Sequence, residues 1–238
     1  MKFGLKSKVK KEKGKFIVID GIDGSGKATQ TKLLAETLKK EGFDVAIADF
    51  PQYGKKSAGP LEEYLNEKYG KSNPYITSLL FAVDRYDASF WIREQLDDGK
   101  IVISNRYVTA NAGHQGSRIE SNAERIRFFK WLDNLEYTLF QLPKPDLNLI
   151  LHVPARIAQK MVDKKSEKQR EYVKGKKRDH LENDLEHLQK AEMVFLQIAE
   201  LFPNTKYVEC VEDGKILPEE QIHNKIWNLV RRLVLNKK

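Results

Sequence analysis

The stretch Gly21-Ile22-Asp23-Gly24-Ser25-Gly26-Lys27 constrains this chain more than any other. It follows the apolar run Phe16-Ile17-Val18-Ile19 and opens a helical pattern near Lys27, so the local order is strand, glycine loop, helix. Against the pattern G-x-x-x-x-G-K-[ST] only the last position departs: Ala28 stands there, and Thr29 follows one residue late. A loop whose N–H groups converge on one phosphate needs backbone angles that side chains forbid, and the helix start adds partial positive charge. Gly21 through Thr29, that is Gly21, Ile22, Asp23, Gly24, Ser25, Gly26, Lys27, Ala28 and Thr29, are therefore the expected nucleotide-phosphate site, with Lys27 reaching the outer phosphates. The bland alternative is a tight strand-to-helix turn that binds nothing.

At 238 residues the chain can bury a full core as one domain with an inserted lid. No apolar run approaches the ~18 residues of a membrane span, and the first fifteen residues hold too few apolar side chains for a secretory core, so a cytoplasmic protein without membrane contact is expected. The single cysteine, Cys210, agrees with a reducing compartment and, within Tyr207-Val208-Glu209-Cys210-Val211, reads as core packing. The net charge of +8 is concentrated in two segments. Residues 1–15 carry seven lysines against Glu12 and read as a solvated basic tail, with a weak polyanion contact as the alternative. Residues 156–178 carry ten Lys or Arg against three acids, leaving the body mildly acidic. Duplex nucleic acid binding would spread charge over a folded face, so nucleic acid is not the expected partner.

Leu33, Leu34, Thr37 and Leu38 recur at helical spacing until Gly42, and Val45-Ala46-Ile47-Ala48 reads as a buried strand. Ligands of open parallel sheets bind outside the carboxyl ends of strands, so the loop Asp49-Phe50-Pro51-Gln52-Tyr53-Gly54 is expected to face the same crevice as the glycine loop. Helices are predicted from Gly59 to about Tyr69 and from about Tyr75 to Asp98. The broad apolar face of the second is interrupted by Asp84-Arg85, which is either a solvated turn or a functional pair. Ile101-Val102-Ile103-Ser104 makes a third strand, ending in Asn105-Arg106-Tyr107. Ala110 to Gly116 reads as a small, polar loop, followed by a helix from about Asn122 through Leu139. Leu147 to Val153 is the fourth strand; the basic stretch follows Pro154; helices over His180–Leu201 and Glu219–Leu235 flank a fifth strand over Tyr207–Val211. The alternation predicts a three-layer α/β fold with a five-stranded all-parallel sheet.

Together, the glycine loop, Phe50-Pro51-Gln52-Tyr53, Leu80-Phe81-Ala82-Val83-Asp84-Arg85, Asn105-Arg106-Tyr107 and Leu142-Pro143-Lys144-Pro145-Asp146 occur in the order and spacing of thymidylate kinases, P-loop nucleoside monophosphate kinases, over roughly residues 15–235. The resemblance implies transfer of the γ-phosphoryl group of ATP to dTMP, with Mg²⁺ as the metal and a homodimer built on the side of the long helix from Tyr75. It implies catalytic roles for Lys27 on the ATP phosphates, Arg106 between donor and acceptor, Asp23 beside the acceptor sugar and phosphate, and a lid cation over about 156–180, Arg170 first, with Lys164, Lys165 and Lys168 as alternatives. Phe81 would stack on the thymine, Arg85 would reach its exocyclic oxygen or the acceptor phosphate, and Asn111 would bond the base edge. Phe50, Pro51 and Tyr53 would wall the pocket, and His114 and Gln115 would complete it. His114 stands where relatives often carry an aromatic residue against the deoxyribose. Asp179 and Glu182 lie where the family places acids facing the acceptor.

Three departures bear on chemistry. Ala28 replaces the Ser or Thr expected at the metal, Asn105 replaces the acid expected before Arg106, and Gln52 stands where relatives often have arginine. Mg²⁺ keeps several waters, so the Asn105 carbonyl, phosphate oxygens, and Thr29 or Asp23 through water can serve, with a looser magnesium requirement. Two other readings accompany this one: a kinase for another pyrimidine monophosphate such as dUMP, and a weakened nucleotide-binding protein whose basic tail contacts nucleic acid.

Overall fold

Residues 13–164 and 185–236 are described by a computed structural model. Five parallel strands form the central sheet: β1 (Lys15–Asp20), β2 (Val45–Asp49), β3 (Ile101–Asn105), β4 (Leu147–His152) and β5 (Thr205–Glu209), in the order β2-β3-β1-β4-β5. β1 is central, and Ile17 pairs with Ile103 on one side and Leu147 on the other. Helices cover both faces of the sheet, so the inner strands β1, β3 and β4 are buried almost throughout, whereas the edge strand β2 alternates buried and exposed residues. The in-register ladders bring Asp20, Asp49, Asn105 and His152 to one carboxyl edge.

The helices are α1 (Lys27–Lys40), α2 (Gly59–Leu65), α3 (Pro74–Asp97), α4 (Val108–Gly116), α5 (Asn122–Asp133), α6 (Ala155–Lys164), α7 (Leu185–Leu201) and α8 (Glu219–Leu233). α1 stops as the sequence predicts: Gly42 takes a left-handed φ of 88°, and the Phe43 N–H returns to the Leu38 carbonyl at 3.0 Å. α3 starts on Asn73, whose side chain accepts the Tyr75 N–H at 2.8 Å, with Pro74 at the first helical position. No helix among the described residues is long and apolar enough to cross a membrane.

The structure corrects the sequence reading in five places. The small, polar stretch 110–116 lies inside helix α4, where glycine and alanine permit close packing: a Cβ on Gly113 would stand 2.4 Å from the Phe195 ring. The basic stretch begins as helix α6, whose Ala155, Ala158 and Val162 are buried while Arg156 and Lys160 are exposed. The helix from Gly59 ends at Leu65, four residues short of Tyr69. The fifth strand is Thr205–Glu209, so Val211 instead pairs antiparallel with Ile216 in a short hairpin (Val211–Glu212 with Lys215–Ile216). The second strand, read as buried, is so only in part: β2 lies at the sheet edge, and Ile47 is 45% exposed while Ala46 and Ala48 are buried. Of the two readings left open for Asp84 and Arg85, the solvated turn is excluded, because both side chains are buried. Cys210 follows β5 and packs in the core as expected, and burial pushes its thiol up to about 12.

Candidate active site

The glycine loop connects β1 to α1 with backbone geometry that only glycine supplies. Gly24 has φ +85°, and a Cβ there would lie 2.1 Å from the Ala158 carbonyl oxygen of α6. Gly21 has φ +136°, and a Cβ there would lie 2.5 Å from the Leu151 carbonyl oxygen. Ile22, Ser25 and Gly26 complete the loop; the Ser25 hydroxyl is buried without a hydrogen-bond partner. Lys27 curls over it, with Nζ donating to the carbonyls of Gly21 at 3.0 Å and Ile22 at 2.9 Å and lying 3.5 Å from the Asp23 carboxylate. Ala28 and Thr29 open α1, and Ala28 is exposed with no oxygen to offer.

Asp23 joins the loop to the neighbouring strand. Arg106, at the end of β3, donates from Nη2 to Asp23 Oδ1. Its backbone holds a left-handed φ of 67°, strained for a side chain of this size, and its N–H bonds the Ile19 carbonyl at 3.0 Å. Burial pushes the Asp23 carboxyl up, but Arg106 and Lys27 outweigh it and hold it well below the usual carboxylate range. Asp20, which sequence reasoning did not single out, is buried beneath the loop. It accepts the Gly21 N–H at 2.9 Å and the Thr109 hydroxyl at 2.8 Å, and burial raises its pKa against the pull of Lys27.

Beside this pair opens a cleft continuous with solvent. Its lining contains Asp23, Phe50, Pro51, Tyr53, Phe81, Arg85, Arg106, Asn111, His114 and Gln115, all expected around the acceptor, with Leu65 and Ala110 in addition. The Phe50–Pro51 bond is cis, and the Phe50 ring leans on Tyr107 with centroids 5.9 Å apart. Arg85 is fully buried and gripped by Glu136, with Nε–Oε2 2.7 Å and Nη2–Oε1 2.5 Å. Asn111 on α4 donates from Nδ2 to the Ser78 carbonyl at 3.1 Å and to Glu136 Oε1 at 3.3 Å. His114, one turn further along α4, stacks on His187 of α7 at 5.8 Å, and neither of its ring nitrogens has a partner. Burial pushes its pKa down to about 3, with Asp23 pulling the other way, so the ring is neutral near pH 7.

Glu136 was missed in the sequence. One signal in the sequence pointed to it, an acid four residues after Leu132 on an otherwise apolar helical face; the buried Arg85 in need of a counter-charge is seen only in the structure. Gln52 does not line the cleft; its amide bonds Asp84 Oδ1 at 3.1 Å and the Asp84 carbonyl at 3.0 Å. Arg170, Lys165, Lys168, Asp179 and Glu182 lie outside the described residues, as does the Lys164 side chain.

The metal question turns on Asn105. Its Nδ2 donates to Asp49 Oδ1 at 2.8 Å across the β2–β3 ladder, while its Oδ1 is buried without a partner. An unpaired amide oxygen beside a carboxylate is a hard oxygen donor set suited to Mg²⁺. Among the described residues, no group of three or more His, Cys, Asp or Glu gathers around such a position.

The chain as a whole, in sequence and in fold, is similar to known proteins of one family. The family model described as "Thymidylate kinase" matches residues 19–226. Thymidylate kinase of Mycobacterium tuberculosis is 32% identical over 186 residues, covering 77% of this chain and 85% of the relative. A probable thymidylate kinase of Thermococcus onnurineus is 31% identical over 231 residues, covering 93% and 100%. The solved structure of thymidylate kinase from Candida albicans superposes with a TM-score of 0.71 at 22% identity, covering 92% of each chain, and so shares the fold. From the glycine loop to the last helix, this chain belongs to the thymidylate kinase family.

Proposed function

We propose that the cleft carries out the family reaction, transfer of the γ-phosphoryl group of ATP to dTMP giving dTDP and ADP, with the donor on the glycine loop and the acceptor among Phe50, Phe81 and Arg85. An oxygen of the dTMP phosphate attacks the γ-phosphorus as the bond to the β,γ-bridging oxygen breaks, and the protein forms no covalent bond. Its work is positioning and charge. Lys27 leaves the loop carbonyls for the β- and γ-phosphates, and Arg106, swinging from Asp23, spans donor and acceptor. Asp23 meets the acceptor sugar and phosphate, and His114 places its unpartnered nitrogens beside the sugar. Phe81 stacks on the base, while Pro51, Tyr53 and Gln115 close the walls. Mg²⁺ would be held by Asn105 Oδ1 and Asp49 and would neutralise phosphate charge. The segment over about 156–180 acts as a lid that supplies Arg170. Of the expected basic tail, residues 1–12 lie outside the described residues, whereas Lys15 belongs to β1 and pairs with Ile101.

The observation that carries the acceptor assignment is the polarity of the cleft's edge. Arg85 can only donate, and Asn111 has committed its amide nitrogen to Ser78 and Glu136, leaving its oxygen to accept. A donor next to an acceptor complements O4 and N3–H of thymine or uracil and opposes the amino group and bare N3 of cytosine. A second copy of the chain covers the exposed apolar face of α3, making a homodimer.

The test is ADP production with ATP and Mg²⁺, comparing dTMP, dUMP, dCMP, UMP and dGMP with a blank lacking acceptor. Turnover greatest with dTMP is expected. ATP binding without turnover on any acceptor would overturn the proposal in favour of a nucleotide-binding protein.

A further inference from the structure

Glu136 has no exposed surface, touches no expected phosphate position and belongs to none of the sequence motifs, yet it contacts both groups that read the base. It sits in a π-helical turn, Asn134–Leu139, that continues α5. The wider winding of such a turn changes which residue faces inward, and π turns recur at functional sites. Here the backbone is anchored where the chain leaves the turn, by the Leu142 N–H on the Glu136 carbonyl at 2.9 Å. The carboxylate then divides its two oxygens. Oε2 accepts from Arg85 Nε; Oε1 accepts from Arg85 Nη2 and from Asn111 Nδ2. This arrangement turns Nη1 of Arg85 and Oδ1 of Asn111 away from Glu136, and both residues line the cleft.

We infer that Glu136 is a specificity-determining positioning residue: by occupying the inner donors of both Arg85 and Asn111, it fixes the order of donor and acceptor presented to the base and so the preference for an imide pyrimidine over an aminopyrimidine. The inference rests on the thymidylate-kinase reading of the cleft. A carboxylate is required because it only accepts. A carboxamide at this place turns an N–H₂ toward a guanidinium donor or toward the Asn111 amide, and one of the two must rotate. Rotation of Asn111 presents N–H₂ to the base, which suits N3 of cytosine; displacement of Arg85 removes the donor that reads O4. Either rearrangement lowers discrimination by a mechanism distinct from loss of stability, because a site built around paired hydrogen bonds rejects the mismatched ligand only while its polar groups stay fixed.

The experiment compares wild type and Glu136→Gln with dTMP and dCMP, measuring kcat and KM for each and the calorimetric Kd of each nucleotide without ATP. The thermal midpoint serves as the folding control. The expected result is a fall of at least tenfold in the ratio of kcat/KM for dTMP over dCMP, carried mainly by KM for dTMP and mirrored in the Kd ratio. A uniform loss on both nucleotides with an unchanged ratio would overturn the inference and leave Glu136 as a brace. If Glu136→Gln does not fold, Glu136→Asp keeps the charge but is one methylene too short to hold all three donors, and an unchanged ratio in that variant overturns the inference equally. A wild-type enzyme that turns over without preferring dTMP to dCMP would instead overturn the underlying reading of the cleft.

Discussion

His114 shows how a single buried side chain ties stability to pH. Its ring is enclosed by His187 and by the edge of Phe195, whose centroid is 5.5 Å away, and burial holds its pKa near 3. An unfolded histidine titrates near 6.5, so below that pH the unfolded chain binds a proton the folded chain refuses. The native state therefore keeps this contribution above about pH 6.5 and loses it as pH falls toward 3, at about 1.4 kcal/mol per pH unit. His114→Phe keeps an aromatic ring and removes the titration. Thermal midpoints measured from pH 7.5 to 4.5 should fall less steeply in the variant than in the wild type. Parallel curves would show that another group, such as His223, whose pKa burial also lowers, governs acid sensitivity.

Elements carried by buried apolar runs were legible, and elements carried by something else were not. The strands Phe16–Ile19 and Ile101–Ser104 could be read because helices on both sides demand apolar residues at successive positions, whereas Val45–Ala48 is an apolar run at the sheet edge that leaves Ile47 exposed. α4 could not: its Thr109, Asn111, Gly113 and Gln115 have no helical apolar stripe, because the helix packs by lacking side chains and spends its polar ones on the cleft. α6 was hidden for the opposite reason. Its lysines and arginine drew attention away from Ala155, Ala158 and Val162, which form a buried face. Residue positions in the cleft were legible from motif spacing, whereas Glu136 belongs to no motif, and an acid on an apolar helical face gains its meaning only from the buried Arg85 beside it. α6 also gives Gly24 a meaning beyond the proposed phosphate site, since the helix rests directly on the loop. Gly24→Ala would force a Cβ to within 2.1 Å of the Ala158 oxygen and 2.9 Å of Val162 Cγ2 in an unfavourable φ. The expected cost is about 1–3 kcal/mol in urea unfolding, with a raised KM for ATP, because the loop and α6 cannot both keep their places. Unchanged stability and KM would mean that α6 does not need this contact.

At the scale of the molecule, α3 is asymmetric. One side carries Asp84, Arg85 and Ser89 into the protein, while the other exposes Ile76, Val83 and Phe90, between 47% and 60% accessible, at seven-residue intervals. That interval keeps the three on one face, and Tyr86 and Trp91 broaden it; so much apolar surface on one helix calls for a partner. A second copy packing helix against helix would bury the stripe and also clamp the element that supplies Phe81 and Arg85 to the cleft. Assembly and acceptor binding are then coupled through one rigid helix. The double variant Val83→Glu/Phe90→Glu places charges at the centre of this face without touching the cleft lining. Sedimentation at micromolar concentration should give twice the chain mass for the wild type and a monomer for the variant. The monomer should also show a higher KM for dTMP than the dimer, with KM for ATP less affected, since the glycine loop belongs to β1 and α1 and not to α3. A wild-type monomer would remove the proposed partner from this face, and a monomeric variant with wild-type KM for dTMP would separate assembly from acceptor binding.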